Sequence, residues 1–283
     1  DSEMVRLLRA SMTDPYAPTP SVEAILHGLI PFRFVDHTHA NAVVTVTNTH
    51  KGLEFIKQIY KDEILVIPYV MPGFILAKKV ADLTQNIDWK KTKGIILLNH
   101  GVFTFDNNAK ASYHKMISIV SKAESFLLRR KAFTIGSTKK KNNLPSALEI
   151  SKIRQKISLN AKFAILARSD GCLLSNLFAS GRKLNEYSMQ GPLTPDHVIR
   201  TKRIPVIIEN NASKSIDRFS SDYKKYFKAN AIKGMTCLDT APRWGVLKNK
   251  GIISLGRSPQ DISVVEDICK HTMESILRAE KLG

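Results

Sequence analysis

Three histidines in two short segments place the strongest constraint on how this chain folds. His37 and His39 lie in a run rich in Val, Thr and Phe, and His100 follows the apolar run 94–98. Side chains two positions apart in a strand lie on the same side of a sheet, so His37 and His39 can bind one ion. If the fold places the end of the run 94–98 beside His37 and His39, His100 becomes a third ligand. Three imidazoles leave one position for water or substrate, which is typical of a catalytic zinc site.

Glu23 is the carboxylate that we expect beside this ion as general acid or base. It also lies in the first turn of a helix predicted over 21–30, with Ser21 as its N-cap. There a carboxylate would contribute only about 0.3 to 1 kcal/mol through the helix dipole. The residues alone leave both interpretations open. Gly101 lets the backbone approach the metal without an intervening side chain.

Length and composition indicate an ordinary globular protein of two units or one large one. The chain has 283 residues, of which 43% are hydrophobic and 24% charged. No segment reaches the roughly 20 apolar residues that span a bilayer, and no signal sequence is recognised. The cysteines, Cys172, Cys237 and Cys269, form no close pair, which argues against disulfides and thiolate metal sites. We therefore expect a cytoplasmic protein.

The net charge of +18 raises the question of nucleic-acid binding. The excess is spread along the chain, and its one dense run, 139–141, lies in a polar stretch over 136–145 that is typical of a linker. No aromatic interleaving accompanies it. This pattern favours a solvated basic surface over a specific nucleic-acid interface, and it is compatible with attraction of anionic sugar phosphates.

The order of apolar runs predicts an α/β unit over 1–130, a linker over 131–150 and a second, smaller α/β unit over 151–283. In the first unit we predict strands over 33–47, 64–70, 94–98 and 102–105, and helices over 21–30, 52–60, 74–83 and 108–130. The last helix carries an apolar stripe that we assign to the core. Its members are Tyr113, Met116, Ile117, Val120, Ala123 and Leu127.

The end of the chain resembles the end of the first unit at an offset of 150 residues. A strand over 251–256 and a helix over 261–280 correspond to the strand and helix that follow His100. Lys250 then stands where the first unit has His100. The pattern predicts a degenerate repeat, although a strand followed by a helix is common. The second unit would lack the same zinc site.

Four motifs in order resemble the class II aldolase/adducin family over about residues 15–130. They are Pro20-Ser21-Val22-Glu23, His37-Thr38-His39-Ala40, Ile67-Pro68-Tyr69 and Leu98-Asn99-His100-Gly101. The resemblance implies a three-layer α/β/α domain with a largely antiparallel sheet, and Zn²⁺ bound by the three histidines. It implies a lyase that cleaves a short ketose phosphate, such as rhamnulose 1-phosphate, with Glu23 moving the proton. Family members also form homo-oligomers.

The second half resembles bifunctional proteins in which an aldolase part precedes a short-chain dehydrogenase. The segments that carry this likeness are 191–202 and 256–258, and no dinucleotide-binding glycine motif occurs in this sequence. The resemblance makes Arg200, Lys202 and Arg257 candidates for binding a phosphate, with solvated surface charge as the alternative. Further candidates for substrate binding come from the first-unit motifs: Ser21, Tyr69, Asn99 and Gly101.

Two departures from the family bear on function. The phosphate-binding turns of the family precede its glutamate motif, and this sequence begins shortly before Glu23, so we expect an incomplete phosphate site. Ser21-Val22 also replaces the usual pair of serines. Glutamate rather than aspartate at position 23 favours aldol over epimerase chemistry. Two functions therefore remain open, a zinc-dependent aldolase and an adducin-like or decayed aldolase-fold interaction module without catalysis.

Overall fold

The computed structural model describes residues 2–133, 136 and 144–283. The chain forms two compact units, one of residues 1–133 with 281–283 and one of residues 134–280. Part of the predicted linker, including the lysines at 139–141, lies outside the described residues. A helix already begins at Ala147, within the segment predicted as linker.

The first unit alternates helices with short strands. Its elements are α1 (Ser2–Ala10), α2 (Ala24–Leu29), β1 (Phe34–Thr38), α3 (Asn41–Thr47), α4 (Gly52–Tyr60), a 3-10 turn (Lys61–Glu63), β2 (Ile64–Ile67), α5 (Phe74–Thr84), β3 (Gly94–Leu97), β4 (Gly101–Asp106) and α6 (Ala109–Arg129). The four strands form one sheet in the order β1-β4-β3-β2. The β1–β4 and β4–β3 pairings are antiparallel, and the β2–β3 pairing is parallel.

The sheet is covered on both faces because β2, β3 and most of β4 are apolar on both sides. Ile96 and Val102 pack with α3, α4 and α6 on one face. Ile95, Leu97 and Phe103 pack with α2 and α5 on the other. Alternate side chains of a strand point to opposite faces, so a nearly continuous apolar run is what a sheet between two helical layers requires. The predicted three-layer α/β/α class, with most pairings antiparallel, is confirmed.

Two details of the predicted first unit are wrong. Residues 33–47 form the strand β1 and then the helix α3, not one long strand. All residues of α3 after Asn41 are buried, and a segment buried on all sides shows no sequence periodicity that distinguishes a helix from a strand. In α6, Tyr113 and Ile117 are exposed, while the core side of the helix runs through Met116, Ile119 and Ala123.

The second unit has its own helices and sheet. Its elements are α7 (Ala147–Ala161), β5 (Leu166–Asp170), α8 (Leu173–Ala179), α9 (Leu184–Tyr187), a 3-10 turn (Pro195–His197), α10 (Val198–Thr201), β6 (Val206–Ile208), α11 (Ala212–Asn230), β7 (Trp244–Leu247), β8 (Gly251–Gly256) and α12 (Pro259–Ala279). The helices α7 and α11 cover one face of the sheet. The helices α8, α9 and α12 cover the other.

The two sheets share one topology. The second sheet has the order β5-β8-β7-β6, with two antiparallel pairings and a parallel β6–β7 pairing, as in the first. The offset of 150 residues maps β3 onto β7, β4 onto β8 and α6 onto α12. The strand-then-helix order of the predicted repeat is therefore present, and common descent of the units stays a prediction. Among the helices that the structure describes, none is long and apolar enough to cross a membrane.

Candidate metal centre

The sheet brings the three histidines together at one end of its strands. β1 runs antiparallel to β4, so its last residues lie beside the first residues of β4, with Thr38 opposite Val102. His37 is in β1, His39 follows its end, and His100 ends the tight connection between β3 and β4. In that connection Asn99 has a left-handed φ of 58°, which lets the chain reverse within a few residues. Strand pairing and this turn place all three imidazoles together.

Gly101 is required where β4 begins. A Cβ atom at this position would lie 2.7 Å from Cδ2 of His39 and 2.8 Å from Cε1 of His37. It would also lie 2.7 Å from the carbonyl oxygen of Thr38, which belongs to the backbone and cannot rotate away. The absent side chain therefore leaves room for two imidazole rings.

The fourth member of the group is Glu23, at the start of α2. One ligand atom from each of Glu23, His37, His39 and His100 can be chosen so that all lie within 4.8 Å of one another. The Nε2 atoms of His37 and His39 are 3.0 Å apart. Oε2 of Glu23 is 3.4 Å from Nε2 of His37, and Oε1 is 2.8 Å from Nε2 of His100. Two ligands of a tetrahedral zinc at about 2.0 to 2.1 Å are separated by about 3.3 Å, so these distances match one shared ion.

Polar atoms at the centre are buried without adequate partners. His100 is 1% exposed. Its Nε2 atom and the nearby Oε1 of Glu23 are buried, and neither makes a hydrogen bond of acceptable geometry within the described structure. Such atoms are costly in a folded protein unless a ligand satisfies them. The residues present therefore fit a divalent cation with nitrogen and oxygen ligands. Among the described residues, they form the one such cluster of possible metal ligands.

His37 is oriented as a metal ligand would be. Its Nδ1 lies 2.9 Å from the carbonyl oxygen of Val102, an acceptor that places the proton on Nδ1 and leaves the Nε2 lone pair toward the other ligands. Its ring stacks on Phe103, with centroids 4.0 Å apart. Burial lowers the pKa of His37 to about 4, although Glu23 opposes this effect. A neutral imidazole is the form that binds a metal. The sequence did not reveal the roles of Val102 and Phe103, because they depend on strand register.

The carboxylate of Glu23 faces the histidines and does not cap α2. Glu23 occupies the N-cap position, but its side chain makes no capping hydrogen bond. Its backbone N–H donates to Oγ of Ser21 over 3.2 Å. Burial would raise the pKa of Glu23, but the contact with His100 and the neighbouring histidines together lower it below its usual value. The group is therefore a buried carboxylate that is ionised at neutral pH.

The other first-unit candidates have more modest surroundings. The side chain of Asn99 donates to Oδ1 of Asn48 over 2.9 Å and so stabilises the turn before His100. Tyr69 is half exposed and lies just beyond β2. Because β2 is parallel to β3, the end of β2 lies at the same edge of the sheet as His100. Tyr69 thus lies at the correct edge of the sheet.

The three candidate cations of the second half differ in their environments. Arg200 is exposed on α10. Arg257 holds its guanidinium 4.7 Å from the ring centroid of Phe163. Lys202 is buried, donates to the carbonyl oxygen of Asp239 and contacts the ring of Tyr223. All three belong to the second unit.

The second unit carries an ion pair where the first has the candidate metal centre. Lys250 stands at the position of His100, in the turn between β7 and β8. Its ammonium lies 2.8 and 2.9 Å from the two carboxylate oxygens of Glu149. Glu149 is in the first turn of α7, a helix that covers the same face of its sheet as α2 does. Strand register places Ser169 at the position of His37. In the second unit, the ammonium group of Lys250 thus lies beside the carboxylate of Glu149, at the position of His100 in the first unit.

Comparisons with known proteins assign both units. Residues 2–127 match the Class II Aldolase and Adducin N-terminal domain, and residues 145–283 match the family described as Aldolase class II, second domain. The chain is 28% identical over 280 residues to a Bacillus subtilis (strain 168) protein named "Uncharacterized oxidoreductase YuxG". That match covers 91% of this chain but 40% of the relative, so the chain spans about two fifths of the relative's length.

A solved structure is also similar. It is the N-terminal class II aldolase domain of a conserved protein from Thermoplasma acidophilum, 42% identical to this chain. The match covers 44% of this chain and 57% of that one, with a TM-score of 0.40.

Proposed function

Because this chain belongs to the class II aldolase/adducin family, we propose that it is a zinc-dependent lyase that cleaves a short ketose phosphate by a retro-aldol reaction. The observation that carries the proposal is the convergence of three imidazoles and one carboxylate within 4.8 Å. A 6-deoxy sugar such as rhamnulose 1-phosphate is the substrate that we favour, from the likeness of the second half to bifunctional aldolase–dehydrogenase proteins.

His37, His39 and His100 would hold the zinc ion through their Nε2 atoms. The bound ion would supply Lewis-acid chemistry, polarising a substrate carbonyl so that the electron pair of the broken bond is stabilised. No lysine Schiff base is then needed. The backbone carbonyl of Val102 would fix the tautomer of His37, and Gly101 leaves room for the rings of His37 and His39.

Glu23 is the proposed acid/base residue. Burial would raise the pKa of Glu23, but its contact with His100 and the neighbouring histidines hold that pKa below its usual value. Its carboxylate is also close enough to the histidines to contact a substrate bound beside them. Glu23 would move the proton at the carbon atom that keeps the electron pair when the carbon–carbon bond breaks.

Substrate recognition would use donors at the same edge of the sheet. Ser21, Asn99, Tyr69 and the backbone N–H of Gly101 are the proposed contacts for hydroxyl and phosphate oxygens. Arg200, Lys202 and Arg257 stay candidates for binding a phosphate or carboxylate group, with solvated surface charge as the alternative. We further propose a cytoplasmic homo-oligomer that acts together with a short-chain dehydrogenase.

The proposal is tested by assaying retro-aldol cleavage with rhamnulose 1-phosphate and fuculose 1-phosphate while zinc content is measured on the same samples. We expect Glu23→Gln to abolish turnover while zinc stays bound, and His100→Ala to lose both. Glu54→Gln, an exposed carboxamide variant in the same unit, is the matched control and should behave as the wild type. Zinc binding without turnover on any ketose phosphate would contradict catalysis and favour the interaction module.

A further inference from the structure

The second unit contains a groove that none of the candidate metal-centre residues line. It has a volume of about 740 Å³ and follows the edge strand β6, between α11 and the segment after α9. Six of the side chains that line it decide its chemistry: Lys202, Arg203, Arg218, Phe219, Tyr223 and Tyr226. A groove of this size can enclose most of a small organic ligand.

One wall of the groove is an aromatic ladder. Phe219, Tyr223 and Tyr226 occur at helical spacing on α11 and share one side of it. The rings of Phe219 and Tyr223 are parallel within 1°, with centroids 6.5 Å apart. Tyr223 and Tyr226 are also 6.5 Å apart, at an angle of 33°. Such rings offer flat faces to a planar ligand, and Tyr226 remains 43% exposed.

Cations lie against the ladder. Nζ of Lys202 is 3.9 Å from the ring centroid of Tyr223, and the guanidinium of Arg203 is 5.2 Å from that of Tyr226. Arg218 extends from α11 into solvent at the rim. Cations held over aromatic faces keep their hydrogen-bond donors available for an anion, and an arginine can bind phosphate oxygens in pairs.

Lys202 is held at a cost to the fold. It is 5% exposed and has a left-handed φ of 58°, a conformation that non-glycine residues avoid. Burial, and then the charge of Arg243, lower its pKa to about 8, against the attraction of Asp239. A bound anion would stabilise the charged ammonium. Strained backbone and a buried, perturbed charge in the wall of a groove are together typical of a ligand site.

The rim of the groove selects against a long polyanion. Glu209 and Asp222 line it as well, so phosphates that extended past the cations would meet carboxylates. Asp222 lies 3.7 Å from Nε of Arg218, and Glu209 lies 2.9 Å from Nζ of Lys248. A compact ligand with one localised anionic group is therefore favoured over a nucleic-acid strand.

We propose that this groove binds a phosphorylated small molecule with a planar ring, of nucleotide size. Its phosphate contacts Arg203, and its ring stacks on Tyr226. The site is separate from the proposed aldolase chemistry and does not depend on it.

The test is calorimetric titration of the full chain with ADP as probe, with ribose 5-phosphate as the probe that lacks the planar ring. We expect ADP to bind at sub-millimolar concentration and more tightly than ribose 5-phosphate. Arg203→Ala and Tyr226→Ala should each weaken ADP binding by at least about 5-fold, as expected for loss of a phosphate contact or of ring stacking. Matched controls are Arg182→Ala and Tyr16→Ala, both at exposed positions outside the groove, and they should bind ADP as the wild type does.

Thermal unfolding of each variant separates loss of binding from loss of folding, because Arg203 and Tyr226 are surface residues whose truncation should leave the fold intact. Absence of ADP binding at millimolar concentration would overturn the proposal, as would binding that neither groove variant weakens. A single-stranded oligonucleotide that binds more tightly than ADP, with the same dependence on Arg203 and Tyr226, would overturn it in favour of a nucleic-acid surface. Retro-aldol activity is not a readout here, so failure of the aldolase proposal would leave this test unaffected.

Discussion

Gly101→Ala is expected to damage the metal centre without touching a ligand. The new Cβ would stand 2.7 Å from Cδ2 of His39, 2.7 Å from the carbonyl oxygen of Thr38 and 2.8 Å from Cε1 of His37. Ordinary carbon contacts are about 3.5 to 4.0 Å, so both rings must move by about 1 Å. The carbonyl cannot rotate away, so the start of β4 must shift as well.

The magnitude follows from two effects. Overpacking of a well-packed site costs about 1 to 3 kcal/mol of folding free energy. Displacement of groups that orient metal ligands lowers metal affinity by about 10- to 100-fold. We therefore expect Gly101→Ala to bind zinc about 10- to 100-fold more weakly and to unfold at a lower temperature.

Zinc affinity is measured by competition with a chromophoric chelator, and stability by thermal unfolding of the metal-free protein. Gly28→Ala is the control, because a Cβ at Gly28 would meet nothing within 4 Å. It lies in α2, where alanine is favoured over glycine by about 1 kcal/mol. Wild-type zinc affinity in Gly101→Ala would refute the steric reasoning, and equal losses in both variants would point to a general effect of substitution.

Three further predictions concern stability. Lys202 should make the protein more stable as pH rises from about 8 to about 10.5, because in this range the unfolded chain keeps the proton that the folded chain has released. Lys202→Met should remove up to about 3 kcal/mol of this increase in unfolding free energy, measured by denaturant titration at several pH values. An unchanged dependence of unfolding free energy on pH would contradict the lowered pKa. Lys250→Ala should lower the unfolding free energy by less than about 1 kcal/mol, because the ion pair of Lys250 with Glu149 is more than one-third exposed. It should leave the zinc content unchanged, and a change in bound zinc by elemental analysis would show that Lys250 affects metal binding. Asn108→Ala should destabilise α6 by about 1 kcal/mol, because its side chain accepts from the N–H of Ala111; an unchanged melting temperature would show that the cap contributes nothing.

The sequence was informative where short-range pattern decides structure. The strand that precedes His100 and the long helix after it were predicted within a few residues, because apolar runs, capping residues and glycine act locally. The motifs also led to the family and to the three-layer class. The same motifs predicted that Glu23 and the three histidines would meet, and their donor atoms do lie within 4.8 Å. Zinc as the ion and Glu23 as its catalytic partner stay predictions.

The hydrophobic pattern of the sequence did not predict the structure where an element is buried on all sides. Residues 41–47 form α3, and Val43, Val44 and Val46 are all fully buried. A β-branched run favours a strand by local propensity, yet packing between β4 and α6 stabilises a helix. The exposed faces of Tyr113 and Ile117 have the same cause, since the neighbouring elements determine which side of a helix is covered.

By itself, therefore, the sequence determined which residues could bind a metal, which segments alternate as strands and helices, and that His100 has a lysine as its counterpart. The tertiary structure alone decided that Glu23 turns away from capping α2, that the carbonyl of Val102 fixes the imidazole of His37, and that Lys250 meets Glu149. Each of these contacts joins residues between 14 and 101 positions apart. Local propensity carries no information about such pairs, because strand register and the packing of helices on the sheet set their distances.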